Sequence, residues 1–110
     1  MIEVKSHISV TKQGLLYLDL FKIKLLEQIF IQGSLRTAAK NLKISYQHAW
    51  NLIDQINKLA PEPIVFKKRG GANGGGAEIS NYGRKIIREY KQIEIQVNNL
   101  IDQINVEINF

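Results

Sequence analysis

The chain has 110 residues, no cysteine and a formal net charge of +5. This length predicts one domain with a modest core. The lack of cysteine excludes disulfides and thiolate metal sites, and no apolar run is long enough to span a bilayer. The N-terminus does not show the residue order of a signal peptide, so we expect a cytoplasmic protein.

The charge is unevenly distributed along the chain. Residues 36–91 carry eleven Lys/Arg against four Asp/Glu, whereas residues 92–110 carry three acidic residues and no basic one. A basic middle followed by an acidic end indicates a nucleic-acid face and a segment held away from it. Scattered solubilising charge is the alternative interpretation of the same pattern.

The first third of the chain predicts a β-hairpin followed by a helix. Hydrophobicity alternates over residues 2–11 and again over residues 16–20, on either side of a turn at 12–14. Asp19 can cap a first helix that runs to about Gln32, and Gly33 ends it. The apolar stripe of this helix is predicted to comprise Ile23, Leu26, Ile29 and Phe30.

Residues 34–60 are predicted to form two helices joined by a tight turn at residues 43–44. Ser34 and Ser45 are suitable N-caps for the second and third helices. Alanines at 38, 39 and 49 allow the two helix backbones to approach closely at a steep angle. This arrangement is typical of a helix-turn-helix, whose second helix can enter the major groove of DNA.

The segment after the third helix predicts a wing. Prolines at 61 and 63 stop the helix, residues 64–66 begin a strand, and a glycine-rich loop at 70–76 leads to a return strand at 77–80. A nucleotide phosphate cradle would instead need a loop that enters a helix, with a G-K-[ST] motif, and that motif is absent. A solvated hairpin without contacts is the remaining alternative to a DNA-bound wing.

Residues after Ser80 are predicted to be helical nearly to the end of the chain. Their apolar side chains are spaced alternately four and three apart, which is an a/d heptad seam. The seam consists of Ile86, Tyr90, Ile93, Val97, Leu100 and Ile104. Because so long a helix outruns a small domain, we expect its later half to pair with a second copy of the chain, although packing on its own domain is the alternative.

The predicted fold is therefore mostly α with small β elements. It is a winged helix-turn-helix with an N-terminal β-hairpin and a long C-terminal dimerisation helix. We assign residues 1–80 to the DNA-binding domain with its hairpin and residues 81–110 to the dimerisation helix.

Four segments resemble a known family. The stretch GSLRTAAKNLKISYQHAWNLIDQIN, with LLEQI before it and the glycine-rich loop and EISNYGRKII after it, resembles the N-terminal DNA-binding domain of the molybdate-responsive (ModE) regulators. It resembles the winged helices of LysR-type regulators more distantly. The resemblance covers about residues 16–91 and implies a dimeric, sequence-specific transcriptional regulator that binds double-stranded DNA.

The chain departs from the family pattern in two respects. It ends at Phe110, where the family usually continues into oxyanion-binding domains, so we expect no direct binding of molybdate. Gln47 and His48 stand where the family often has basic residues. A different preferred DNA sequence is therefore compatible with the resemblance.

Helix geometry selects the residues predicted to touch DNA. Side chains turn by about 100° per residue, which directs Gln47 and Asn51 away from the apolar stripe of the third helix, and their amides can pair with adenine. Neighbouring polar and basic side chains are predicted to bind phosphate or base edges. These are Ser34, Arg36, Thr37, Lys40, Ser45, Tyr46 and His48, with Lys67, Lys68 and Arg69 on the wing. Trp50 is interpreted as a packing residue under the wing or hairpin, and Asp54 as lying beyond the contact zone.

Other classes of function are weighed against this one. No nucleophile–base pair, metal cluster or pair of carboxylates stands out, and His7 and His48 do not form a convincing metal pair, so no catalytic residue, metal ligand or cofactor is predicted. A winged-helix protein-interaction module, or a non-specific DNA-binding protein without regulatory readout, remains the alternative. Salt-dependent binding of random duplex DNA separates the interaction module from a DNA-binding protein.

Overall fold

The computed structural model of the chain describes residues 2–68 and 76–110, and it is a winged helix-turn-helix as predicted. Its elements in chain order are β1 (Val10–Lys12), β2 (Leu15–Leu18), α1 (Leu20–Gln32), α2 (Leu35–Asn41), α3 (Tyr46–Leu59), β3 (Val65–Lys67), β4 (Ala77–Ile79) and α4 (Asn81–Glu107). The strands form two antiparallel pairs, β1 with β2 and β3 with β4. None of the helices in the described part of the chain is long and apolar enough to cross a membrane.

Every helix of the described residues begins after the residue predicted to cap it. In each case the capping side chain accepts a hydrogen bond from a backbone N–H in the first turn. These caps are Asp19, Ser34, Ser45 and Ser80, and a cap of this type stabilises a helix by about 1 kcal/mol. Gly33 ends α1 with a φ of 65°, in the left-handed conformation that glycine adopts without strain.

Small side chains bring α2 against α3. Ala38, Ala39 and Ala49 are almost completely buried where the two helices meet. The connecting turn contains Lys43 with a φ of 60°, and the N–H of Ile44 donates to the carbonyl of Ala39 at 3.0 Å. The tight turn at 43–44 is therefore confirmed, and it fixes the orientation of α3 relative to α2.

The core is built from buried side chains of α1, α2, α3 and the second strand pair. Ile23, Leu26 and Ile29 of α1 are fully buried, in agreement with the predicted stripe. The inclusion of Phe30 in that stripe is wrong, because Phe30 is 54% exposed and Leu25 is buried instead. Phe30 lies at the edge of α1, where the guanidinium carbon of Arg84 lies 5.2 Å from its ring centroid.

The predicted strand over residues 2–11 is mostly wrong, because only its last part is a strand. The partner strand β2 has four residues and α1 begins shortly after it, so among the described residues no strand pairs with residues 2–9. This N-terminal arm (residues 2–9) instead contacts α4. The amide of Asn105 exchanges two hydrogen bonds with the backbone of Val4, at 2.6 and 3.0 Å, and the hydroxyl of Tyr90 donates to the carbonyl of Ile8 at 3.0 Å.

Two side chains hold the base of the wing, the β3–β4 pair, against the helices. The Oδ1 of Asn57 accepts from the N–H groups of Ile64 and Val65, and its Nδ2 donates to the carbonyl of Val65. The Ser80 hydroxyl donates to the carbonyl of Pro63 at 2.6 Å. The wing base is therefore fixed to α3 on one side and to the start of α4 on the other.

Candidate nucleic-acid interface

The exposed face of α3 presents the two amides that the helical periodicity selects. Gln47 and Asn51 are both exposed and lie one turn apart. The Nε2 of Gln47 donates to the Oδ1 of Asn51 at 2.9 Å, so the two side chains form a connected amide pair. The opposite face of α3 is buried through Ala49, Ile53 and Ile56, which leaves the amide pair directed to solvent.

The capping serines Ser34 and Ser45 have a structural role that does not depend on DNA. The Oγ of Ser34 accepts from the N–H of Thr37 at 3.1 Å, and the Oγ of Ser45 accepts from the N–H of His48 at 3.0 Å. Each hydroxyl proton stays available to donate to a phosphate oxygen, because capping uses only the oxygen. Thr37 itself is half-buried.

Two exposed basic side chains of α2 lie at the rim of this face, and a third lies in the turn. Arg36 and Lys40 are exposed on α2. Lys43 is exposed in the turn between α2 and α3. The sequence assigns it to the turn only and not to the DNA contacts. Its position between the two helices of the motif makes it a further candidate for a phosphate contact.

A row of aromatic and cationic side chains connects α2, α3 and the wing. The guanidinium carbon of Arg36 lies 4.8 Å from the ring centroid of Tyr46, and the Tyr46 and Trp50 centroids are 6.1 Å apart. The Nζ of Lys67 lies 3.7 Å from the centroid of Trp50. This cation–aromatic row (Arg36, Tyr46, Trp50 and Lys67) agrees with the interpretation of Trp50 as a packing residue under the wing.

The wing lysines are placed differently from one another. Lys67 also lies 3.4 Å from a carboxylate oxygen of Asp54, and its side chain is only 14% exposed. Lys68 is 69% exposed and reaches Glu78 only at 4.0 Å. Lys68 is therefore accessible to a phosphate group, whereas Lys67 is held by the protein itself. Arg69 lies outside the described residues.

Asp54 is held in its ionised form by lysines on both sides. Lys58 lies 3.1 Å from one carboxylate oxygen and Lys67 lies 3.4 Å from the other. The hydrogen bond and charge of Lys58, assisted by Lys67, lower the pKa of Asp54 below its ordinary value. The two lysines offset the carboxylate charge that would otherwise repel a nearby phosphate.

An open apolar groove of about 590 Å³ lies beside α3, between that helix and the β2–α1 connection. Leucines dominate its lining, with Leu15 and Leu16 from β2 and Leu52 and Leu59 from α3. His48 also lines this groove and is exposed, so it flanks the amide pair rather than belonging to it.

The predicted dimerisation residues divide into two groups. Tyr90 is 2% exposed and Ile86 packs half-buried against the same core, so both are occupied within the chain. Ile93, Leu100 and Ile104 are 42%, 56% and 37% exposed. They share one face of α4 with the half-buried Val97, beyond the part of the helix that packs on the core.

The fold and the site define a winged-helix protein with a polar, partly basic helix-turn-helix face. No family model matches the chain. Its sequence is 42% identical over 88 residues to the molybdenum transport protein ModE of Azotobacter vinelandii, which covers 80% of this chain and 33% of that protein. It is 34% identical over 87 residues to the transcriptional regulator ModE of Haemophilus influenzae, covering 79% and 34%.

A third relative is the DNA-binding transcriptional dual regulator ModE of Escherichia coli K12, with 38% identity over 78 residues that cover 71% of this chain and 30% of the relative. About four fifths of the chain is thus homologous to ModE-family transcriptional regulators. The chain spans about one third of the length of these relatives.

Proposed function

We propose that the chain is a sequence-specific DNA-binding transcriptional regulator of the ModE type, which acts as a homodimer on double-stranded DNA. The observation that carries the proposal is the exposed amide pair at the N-terminal end of α3, the end of a recognition helix that reaches base edges. Residues 1–80 would form the DNA-binding domain and residues 81–110 the dimerisation helix.

Charge and geometry support a role for the helix-turn-helix face. Arg36, Lys40 and Lys43 surround the start of α3, where they can neutralise the phosphates on either side of a major groove. Lys68 extends the same function to the wing. The segment that follows Lys91 carries only acidic charge, which is suited to a part of the molecule that stays away from DNA.

The exposed apolar face of α4 supports the homodimer. Twenty-seven helical residues extend for about 40 Å, and the molecule measures 57 × 29 × 22 Å, so α4 reaches well beyond the core. Ile93, Leu100 and Ile104 leave a row of apolar side chains in water on this extension. Pairing with the same row of a second copy would bury it, as in a coiled-coil seam.

The expectation that the 110-residue chain does not itself bind molybdate stays a prediction. Isothermal titration calorimetry of the chain with molybdate and tungstate tests it. Heat of binding with a defined stoichiometry at micromolar oxyanion would contradict it.

Titration of the full chain with random and selected duplex DNA over a range of salt concentrations tests the proposed function. We expect binding of random duplex to weaken steeply with salt, by about 0.9 logarithmic units per phosphate contact. We expect at least one selected sequence to bind about 10³-fold more tightly or better. Salt-dependent binding without sequence preference would support the non-specific alternative, and no binding to any duplex would support the protein-interaction module.

A further inference from the structure

We propose that Gln47 and Asn51 read one adenine together, as a single composite group, and do not contact two bases independently. This inference rests on the proposed DNA-binding function and deepens it. It starts from the hydrogen bond of 2.9 Å that joins the Nε2 of Gln47 to the Oδ1 of Asn51 on the exposed face of α3.

The hydrogen bond determines what the pair offers to a ligand. Each amide has one carbonyl oxygen and one NH₂ group. The bond uses one N–H of Gln47 and the oxygen of Asn51, which leaves the oxygen of Gln47 and the NH₂ of Asn51 outside the bond. If both amides were rotated, the groups outside the bond would exchange residues, but they would still be one NH₂ group and one carbonyl oxygen. The internal bond therefore favours a pattern in which one residue supplies the free NH₂ group and the other the free carbonyl oxygen.

Adenine is the base whose major-groove edge matches this pattern. Adenine presents an acceptor at N7 beside a donor at N6. The NH₂ of Asn51 can donate to N7 while N6 donates to the oxygen of Gln47. Guanine presents acceptors at both N7 and O6, so its O6 would face the oxygen of Gln47. Guanine would therefore set two acceptors against each other, and we expect it to bind less tightly than adenine.

The immediate surroundings keep the pair in place. Ser45 caps α3 two residues before Gln47, so the backbone that carries both amides is fixed at its first turn. Ala49, which lies between them in sequence, is fully buried and holds this turn against α2. The two amides are thus set on a rigid element, which a composite reader requires.

Binding measurements with single-base variants of a selected duplex test the proposal. The duplex is selected from a random library with the wild-type chain, and dissociation constants are then measured for Gln47→Ala, Asn51→Ala and the double variant. We expect both single variants to lose about ten-fold in discrimination, at the same A·T pair, and the double variant to lose no more than either one. Losses at two different base pairs, or losses that multiply in the double variant, would show independent readers and overturn the proposal.

A conservative variant gives a second readout. Asn51→Asp keeps an acceptor for the Gln47 N–H but replaces the outward donor by a second acceptor. We expect the preference at that base pair to move from adenine toward cytosine, whose N4 is a donor. Retained adenine preference in this variant would contradict the composite reader. Failure of the wild-type chain to bind any duplex would overturn the proposed function as well, so the two failures are distinguishable.

Discussion

Replacement of Lys67 by methionine separates two roles that a wing lysine can have. The ammonium of Lys67 lies 3.7 Å from the Trp50 centroid, and its side chain is 14% exposed. A cation–π contact stabilises by about 0.5–1 kcal/mol at exposed sites and about 2 kcal/mol when desolvated. The ion pair with Asp54 adds little, because that carboxylate is 48% exposed and solvent screens its charge. Methionine keeps the apolar stem, so we expect Lys67→Met to destabilise the protein by about 1–2 kcal/mol.

Urea unfolding at fixed protein concentration measures this change in stability. Trp50 is the only tryptophan of the chain, so its fluorescence reports on its surroundings directly. With a typical urea slope for a small domain, the midpoint should fall by about 0.5–1 M. Lys68→Met is the matched control, and we expect a change within about 0.5 kcal/mol because this side chain is 69% exposed.

DNA binding should be affected more by Lys68→Met than by Lys67→Met, which is the reverse of their expected effects on stability. The salt slope is the slope of the logarithm of affinity against the logarithm of salt concentration. Lys68→Met should reduce this slope by about 0.9 for each phosphate that it leaves without a cation. Lys67→Met should leave the slope nearly unchanged. Two results together would show that Lys67 binds phosphate. They are a urea midpoint of Lys67→Met equal to that of the wild type, and a reduction of the salt slope as large as that caused by Lys68→Met. The assignment of Lys67 to the cation–aromatic row would then be wrong.

Three further perturbations have defined outcomes. A Cβ at Gly83 would lie 2.5 Å from the carbonyl oxygen of Ile64. Gly83→Ala should therefore destabilise the protein by about 1–3 kcal/mol in urea unfolding, although alanine has the better helix propensity. An unchanged urea midpoint would contradict this packing. Burial raises the pKa of Tyr17 to about 12; the protein should therefore lose stability as pH rises from about 10 toward about 12, and Tyr17→Phe should weaken that dependence in unfolding experiments across this range. Val97→Glu combined with Leu100→Glu should give monomers in light scattering, since the charges would lie in the proposed seam, and an unchanged dimer would place the interface elsewhere.

The helix boundaries could be predicted because they depend on local chemistry. Asp19 and the three capping serines each satisfy N–H groups within three residues of themselves, so no distant part of the chain has to be known. Gly33 likewise ends α1 through its own left-handed conformation. The amide pair could be found for the same reason, since its position follows from the periodicity of α3.

Features that depend on tertiary contacts could not be predicted in this way. The alternation over residues 2–9 is a valid strand pattern, but a strand needs a partner, and this arm contacts α4 through Asn105 and Tyr90 instead. Phe30 fits a helical stripe, yet which edge of α1 is covered depends on how the other elements pack against it, and Phe30 is left 54% exposed. Lys67 is basic and on the wing, but only the folded structure shows that Trp50 and Asp54 hold it.

Hydroxyl-radical footprinting of the wild-type chain on a selected duplex tests most directly whether this protein is a dimeric reader of DNA through α3. We expect protection of two half-sites on one side of the duplex, with centres about one helical turn or a multiple of it apart. Asn51→Ala should weaken protection of both half-sites equally, because each copy would place the same amide pair in a major groove. A single protected site, or protection that Asn51→Ala leaves unchanged, would contradict this mode of binding.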